Sequence, residues 1–491
     1  MKFDDISADI VATVSMGIAI RAIVSLYLYS GADKPPMFGD YEAQRHWQEI
    51  TANLQAKDWY RNTTDNDLLY WGLDYPPLTA YHSYVLGIIA RGYNNSFVEL
   101  QKSRGLESSA HKSFMRLTVL IADILLYLPA LVLLCCVLVR RNEQTTTLCP
   151  LLLAMILYPG QILIDNGHFQ YNNISLGLCL LAVCAIYMEH IYLTAFLYSL
   201  ALNYKQMELY HAMPFFVYLL SACFDQRRFF QKLKTFAFLS GIVLMTFAVL
   251  WLPWLSSSQA ALAVLERLFP IGRGVYEDKV ANFWCALNVV YKIKYKLLNQ
   301  QMAMLCLGVT ASFVIPINLH LFFNKSKETF ALSLVNTAMA FYLFSFQVHE
   351  KSILLVAAPA FCLLNAYPLE TLWFLEATVF SMFPLLVKDG LIIPFFVLAL
   401  IYHICVKDMI ITYFHLTKYS NKWLSAVSTG SSVSMLVIAL VSLVVPAPSK
   451  YPFIWPLIIC LYSFMYFFLF FVFCLWRQFA CTNLNVKVRA R

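Results

Sequence analysis

Apolar stretches close to 20 residues long recur along this chain from about residue 9 to about residue 476, and no other feature limits its fold so severely. A helix of that length matches the hydrocarbon thickness of a bilayer. In lipid every backbone N–H and C=O must be paired within the protein, and helices do this without a partner. The pattern predicts an all-α polytopic membrane protein. It overrides the roughly three soluble domains that 491 residues would suggest by length. With 60% apolar and 13% charged residues, the net charge of +8 reads as Lys and Arg on cytoplasmic loops rather than as a nucleic-acid surface. The chain carries no Gly-rich phosphate loop, zinc-ligand spacing or nucleophile elbow.

The basic residues set the orientation. Arg140 and Arg141, then Arg227, Arg228, Lys232 and Lys234, then Lys325 and Lys327, Lys418 and Lys422, and finally Arg477, Lys487, Arg489 and Arg491 follow apolar runs and mark cytoplasmic ends. About fourteen crossings are expected, at 9–29, 115–139, 146–163, 174–190, 191–203, 211–223, 235–254, 301–323, 328–346, 351–366, 369–386, 392–414, 427–446 and 453–476, with both termini cytoplasmic. The first run lacks a basic flank and a small-residue cleavage site, so it reads as a retained signal-anchor. Arg21 inside it is costly in lipid and either serves the protein interior or meets a lipid phosphate.

Two lumenal elaborations remain within one integral membrane domain spanning 1–491. The first, 30–113, contains short amphipathic pieces at 41–53 and 78–91 expected to lie along the membrane surface. The second, 255–300, precedes the C-terminal membrane helices of 301–491. Its apolar middle, 281–294, is too short for a comfortable crossing; a crossing there would invert everything downstream. Asn62 opens an Asn-Thr-Thr sequon, a possible N-glycosylation site. Most of the 13 cysteines lie inside apolar runs and are expected to pack as small apolar residues. Only Cys285 falls in a lumenal loop, so no lumenal disulfide is expected.

In this orientation the polar clusters gather on the lumenal face. They are Gly39-Asp40-Tyr41-Glu42-Ala43-Gln44-Arg45-His46-Trp47, Tyr70-Trp71-Gly72-Leu73-Asp74-Tyr75-Pro76-Pro77, His168-Phe169-Gln170-Tyr171-Asn172, Asn203-Tyr204-Lys205-Gln206, Glu277-Asp278-Lys279 and Gln347-Val348-His349-Glu350-Lys351. In that order they resemble the endoplasmic-reticulum glucosyltransferases of the GT-C class that use dolichyl-phosphate glucose. The similarity is greatest to members that add the first α-1,3-linked glucose to the nine-mannose, dolichyl-pyrophosphate-linked oligosaccharide of protein N-glycosylation. A sister enzyme adding the second glucose shares the Asp-Tyr-Pro-Pro turn but is expected to lack the run Ala43–Trp47. The resemblance implies a GT-C fold, an endoplasmic-reticulum location, and dolichyl-phosphate glucose, the lipid-linked oligosaccharide and membrane lipid as partners.

Such a transfer needs a base for the acceptor hydroxyl, positive or hydrogen-bonding groups for the leaving phosphate, and a route for the lipid tail. A donor with a single phosphate needs no metal or other cofactor. The resemblance makes Asp40 the base of an inverting displacement; it is also a favoured N-cap for a helix beginning near Tyr41. His349, Lys351, Lys205, Arg45 and Arg273 are the candidates for donor phosphate or lipid. Glu42, His46, Trp47, Trp71, Asp74, His168, Gln170 and Asp278 are the candidates for acceptor, sugar or support of the base. Tryptophan also anchors at membrane interfaces, Asp74 sits before a proline-fixed turn, and a histidine at a helix end is often structural. A transporter would place polar residues at mid-membrane in repeated halves; none is seen, but a non-catalytic scaffold of the same fold stays open.

Overall fold

The computed structural model describes residues 3–140, 148–269, 280–293, 296–415 and 422–489. Their regular structure is entirely helical, one of the two ways a chain satisfies its backbone in lipid. Each expected crossing coincides with a helix or a run of helices. Among the described residues nine helices are long and apolar enough to cross a bilayer, and two more, Asn172–Tyr187 and Ile191–Tyr204, are apolar but shorter.

The bundle has two distinct ends. Glu189, Asp225, Lys325 and Lys327 meet at one of them through the Lys325–Asp225 and Lys327–Glu189 ion pairs. One helix length away, the ends of Cys149–Phe169, Ile191–Tyr204, Lys327–Phe344 and Pro368–Lys388 converge beneath the first long loop. Arg21 does not reach lipid. Its side chain is fully buried, bonds the Gln161 side chain at 2.8 Å and the Ile156 carbonyl at 3.0 Å, and faces Asp123 at 3.6 Å. The charge expected to be costly is therefore held inside the protein.

The first long loop is built on α1 (Phe3–Val24), α2 (Asp40–Asn53), α3 (Pro77–Tyr93) and α4 (Ser109–Ala122). The two amphipathic pieces expected along the membrane surface are α2 and α3, but only α3 has an exposed apolar face, with Tyr84, Val85, Ile88, Ile89 and Tyr93. All residues of α2 from Tyr41 to Thr51 are buried. Its apolar side joins Trp59, Tyr60 and Leu73 to Trp254 at the end of the preceding crossing and to Ala260 and Val264 of the second elaboration, and on its polar side Glu42, Arg45 and Glu49 pair with one another. The expectation for α2 fails because its periodicity reports a buried ionic side, which looks the same in sequence as a wet one.

The apolar middle of the second elaboration forms a helix only from Phe283 to Tyr291, and Lys292 ends it with φ +49°. At about 1.5 Å per residue these nine residues reach less than half of the ~30 Å hydrocarbon core, so this helix is too short to span it. Trp284 instead docks it by donating to the Phe344 carbonyl at 2.8 Å. No disulfide joins the twelve cysteines whose side chains are described.

Candidate active site

Asp40 is the first residue of α2, but its side chain does not cap the helix. The capping position belongs to Gly39, with no side-chain cap bond. A Cβ on Gly39 would lie 2.6 Å from Ser30 Oγ and 2.7 Å from the Ser30 backbone, so only glycine permits this approach. Ser30 uses it twice: its N–H donates to the His168 carbonyl at 2.9 Å, and its Oγ accepts from the Asp40 N–H at 3.3 Å. One serine thus ties the start of α2 to the segment bearing His168.

That segment is a π-helical run, Ile162–Phe169, ending at Phe169 with φ +88°. Wide turns leave carbonyls without helical partners, and buried carbonyls need donors. Arg116 of α4 supplies them, donating to the carbonyls of Asn166 at 2.6 Å, Gly167 at 2.7 Å and Leu28 at 3.0 Å. Below it, buried Asp165 accepts from the Asn172 side chain and the Asn173 N–H, both at 2.7 Å.

Three donors from two other parts of the chain converge on one atom of Asp40. His168 Nε2 lies 2.9 Å from Oδ2, Gln170 Nε2 donates to Oδ2 at 2.5 Å, and Lys351 Nζ forms an ion pair with the same oxygen. Among the described residues no side chain hydrogen-bonds Oδ1, and Asp40 keeps 23% side-chain exposure. Burial opposes ionisation here, but Lys351 and His168 outweigh it and hold the carboxyl well below the usual carboxylate range. The arrangement is an anion with one oxygen engaged by three donors and the other with no side-chain hydrogen bond among the described residues. Behind His168, its Nδ1 lies 2.5 Å from Oδ2 of the buried Asp389.

Lys205 lies beside this group, bonded to the Asn172 side chain and 5.2 Å above the Tyr75 ring. Burial, then Lys351, push its amine down to about 8. Gln206 donates to the Asp74 carbonyl at 2.9 Å, which brings the Tyr75-Pro76-Pro77 turn over the site, with Pro77 in the first turn of α3. His349 is exposed and precedes the short helix Glu350–Ile353 that carries Lys351. Asp74 and Trp71 are partly exposed at the same end.

The model of the ALG6, ALG8 glycosyltransferase family matches residues 17–473. The chain belongs to that family. It is similar to the probable dolichyl pyrophosphate Man9GlcNAc2 alpha-1,3-glucosyltransferase of Drosophila melanogaster, at 53% identity over 95% of this chain and 97% of that protein. The dolichyl pyrophosphate Man9GlcNAc2 alpha-1,3-glucosyltransferases of Gallus gallus and Mus musculus are 50% and 43% identical over 79% and 94% of this chain, and over 76% and 94% of their own lengths.

Within this glycosyltransferase the structure brings Asp40, His168, Gln170, Lys351 and Lys205 together and turns other candidates away. Arg45, expected at the donor phosphate, is fully buried. Its guanidinium is spent on Glu42 at 2.6 and 2.8 Å, Glu49 at 2.7 Å and Ser103 at 2.6 Å. Glu42 is bound to it and to the Tyr70 hydroxyl at 2.8 Å, and so does not face an acceptor. His46 is buried beside Glu49 at 3.4 Å. Trp47, expected to stack on a sugar, is 4% exposed and donates to the Trp71 carbonyl at 2.9 Å. These four share one run with Asp40, but the helix turns them into the protein. Arg273 and Asp278 lie outside the described residues. Asn62 is exposed, as a glycosylated side chain must be.

Sequence reading missed Asp389, Arg116 and Ser30. The first had a signal: Lys388-Asp389-Gly390 separates two apolar runs on the expected lumenal side. As for metals, among the described residues Cys179, Glu208 and His211 hold ligand atoms within 4.8 Å of one another. His211 already engages Glu208 at 2.7 Å and the Leu355 carbonyl at 2.6 Å through its two ring nitrogens, so the group locks a connection between helices.

Proposed function

We propose that this chain transfers the first glucose from dolichyl-phosphate glucose to a dolichyl-pyrophosphate-linked nine-mannose oligosaccharide, in α-1,3 linkage and with inversion. The observation that carries the mechanism is the unequal treatment of the two Asp40 oxygens. Oδ2 is saturated by His168, Gln170 and Lys351, so Oδ1 is the atom that takes the acceptor proton. The acceptor oxygen then attacks the anomeric carbon from the face opposite the phosphate, and the bonding pair leaves with the phosphate. Lys351, Lys205 and His349 carry its growing charge. Lys205 gains most from an incoming phosphate, because burial makes its charge costly while none is bound. Substrate arms decide the reading. Purified protein is incubated with dolichyl-phosphate glucose or dolichyl-phosphate mannose and with nine-mannose or one-glucose acceptors. Only glucose donor with nine-mannose acceptor is expected to react. Transfer to the one-glucose acceptor alone would point to the second-glucose reaction, and no transfer from any pair would end the reading.

No metal takes part in this scheme, since lysine and histidine serve a donor with one phosphate. Full activity is expected in excess chelator; loss restored by manganese or magnesium overturns it.

The site faces the lumen of the endoplasmic reticulum in this proposal, with about fourteen crossings and cytoplasmic termini. The basis is the grouping of Lys325, Lys327 and their neighbours at the end of the bundle away from Asp40, because positive loops stay cytoplasmic. A glycosylation tag inserted after Lys325 is expected to remain unmodified, whereas Asn62 is accessible to the lumenal machinery. Modification of the Lys325 tag would reverse the orientation of that half.

A further inference from the structure

We propose that Asp389 is a positioning residue for the base, holding the His168 imidazolium between two carboxylates so that Asp389, His168, Asp40 and Lys351 act as one charge-balanced unit. The inference rests on Asp40 being the base. Both His168 ring nitrogens face carboxylate oxygens, at 2.5 Å to Asp389 and 2.9 Å to Asp40. Lys351 Nζ also lies 3.2 Å from Nε2, but the Asp40 oxygen is nearer; ionised carboxylates only accept, so both nitrogens carry protons and the ring is a cation. Asp389 and His168 are each 2% exposed at the side chain. A buried charge persists only when paired, and with Asp40 committed to Lys351 as well, Asp389 is the anion that keeps His168 charged.

The consequence is electrostatic. Before reaction the two carboxylates and two cations cancel. As the acceptor oxygen bonds to the anomeric carbon and the carbon–phosphate-oxygen bond breaks, the acceptor proton moves to Asp40 Oδ1. The unit becomes singly positive while the departing phosphate passes from one negative charge to two. The site gains positive charge in the step in which its neighbour gains negative charge, the moment at which such stabilisation accelerates a reaction. The other charged groups facing the unit are Glu350 and Lys205, which bear on Lys351, and Arg116, which bears on Asp389.

Asp389→Asn keeps an acceptor for Nδ1 but not the charge. His168 then gives up its second proton, Nε2 no longer donates to Asp40, and the base loses a neighbouring cation. A fall in kcat of about 10- to 100-fold is expected, by analogy with the loss of a carboxylate that orients a metal-ligating histidine, with the donor KM little changed. The acidic limb of kcat/KM should move up by about one pH unit or more, as follows when a nearby positive charge is removed. A purely structural role is read by Lys34→Ala, because exposed Lys34 tethers the same loop through the Lys388 carbonyl at 2.7 Å and touches none of the four charges. It should leave the limb in place. If Asp389→Asn fails to fold, His168→Gln reads the same limb and should move it the same way. An unmoved limb in whichever variant folds, or a loss matched by Lys34→Ala, overturns the assignment. Near wild-type transfer by Asp40→Asn would instead remove the base on which it rests, so the two failures are distinct.

Discussion

Asp40→Asn is expected to lose roughly 10²- to 10⁴-fold in glucose transfer, the range assigned to general-base catalysis, with folding and donor binding retained. Helix capping offers no rival explanation, because Gly39 holds the capping position and the Asp40 side chain bonds nothing in its own helix. The loss has a stereochemical cause as well as a basicity cause. His168, Gln170 and Lys351 all donate toward Oδ2, so the asparagine oxygen must take that place. Its NH2 then occupies the Oδ1 position and presents a donor to the acceptor hydroxyl where a proton acceptor is needed. Single-turnover transfer, measured beside binding of dolichyl-phosphate glucose, separates the two steps. His349→Ala is the contrast: a phosphate contact should weaken donor binding as well as rate, because the donor is charged before reaction. An Asp40→Asn enzyme working near the wild-type rate would pass the role to Asp74, since Glu42 is committed to Arg45 and Tyr70.

Arg45→Met is expected to destabilise the first loop by about 3–5 kcal/mol, the cost of leaving a buried ionic partner uncompensated. The guanidinium makes four hydrogen bonds under 3 Å to Glu42, Glu49 and Ser103, and methionine leaves two buried carboxylates facing each other's surroundings without their cation. The effect should appear as a lower unfolding temperature and less folded protein. Its pH dependence follows from Glu49. Burial would raise that carboxyl, but His46 and Arg45 hold it down at about 2. A depressed carboxylate contributes stability above its unfolded value, near 4.5, and that stability is lost as pH falls toward 2. Arg45→Met removes one cause of that depression, so its stability deficit relative to the wild type should be largest near neutral pH and should shrink as pH falls toward 2. A variant with wild-type thermal stability but weakened donor binding would restore the phosphate role that the sequence suggested for Arg45.

The helical, membrane-spanning character of this protein and the positions of its long segments were legible in the sequence. Apolar length is a local property; lipid leaves helices and closed barrels as the spanning solutions, and runs near 20 residues fit helices. Asp40, His168, Gln170, Lys205 and Lys351 were legible too, as polar residues at the ends of apolar runs where the bilayer gives them no structural use. The division of labour among them was not. Asp40 and Arg45 sit in one polar run and look equally wet, yet α2 carries one to the rim of the site and the other into a sealed ion pair. Sequence periodicity separates apolar from polar faces but cannot tell a polar face bathed in water from one matched against carboxylates of its own helix. Asp389 reaches His168 from a far distant turn, and only packing of the whole bundle brings it there. Chain order, set by local burial, was written in the sequence; the partner of each charge depended on long-range packing, because a buried charge is stable only beside the opposite charge that the tertiary fold delivers.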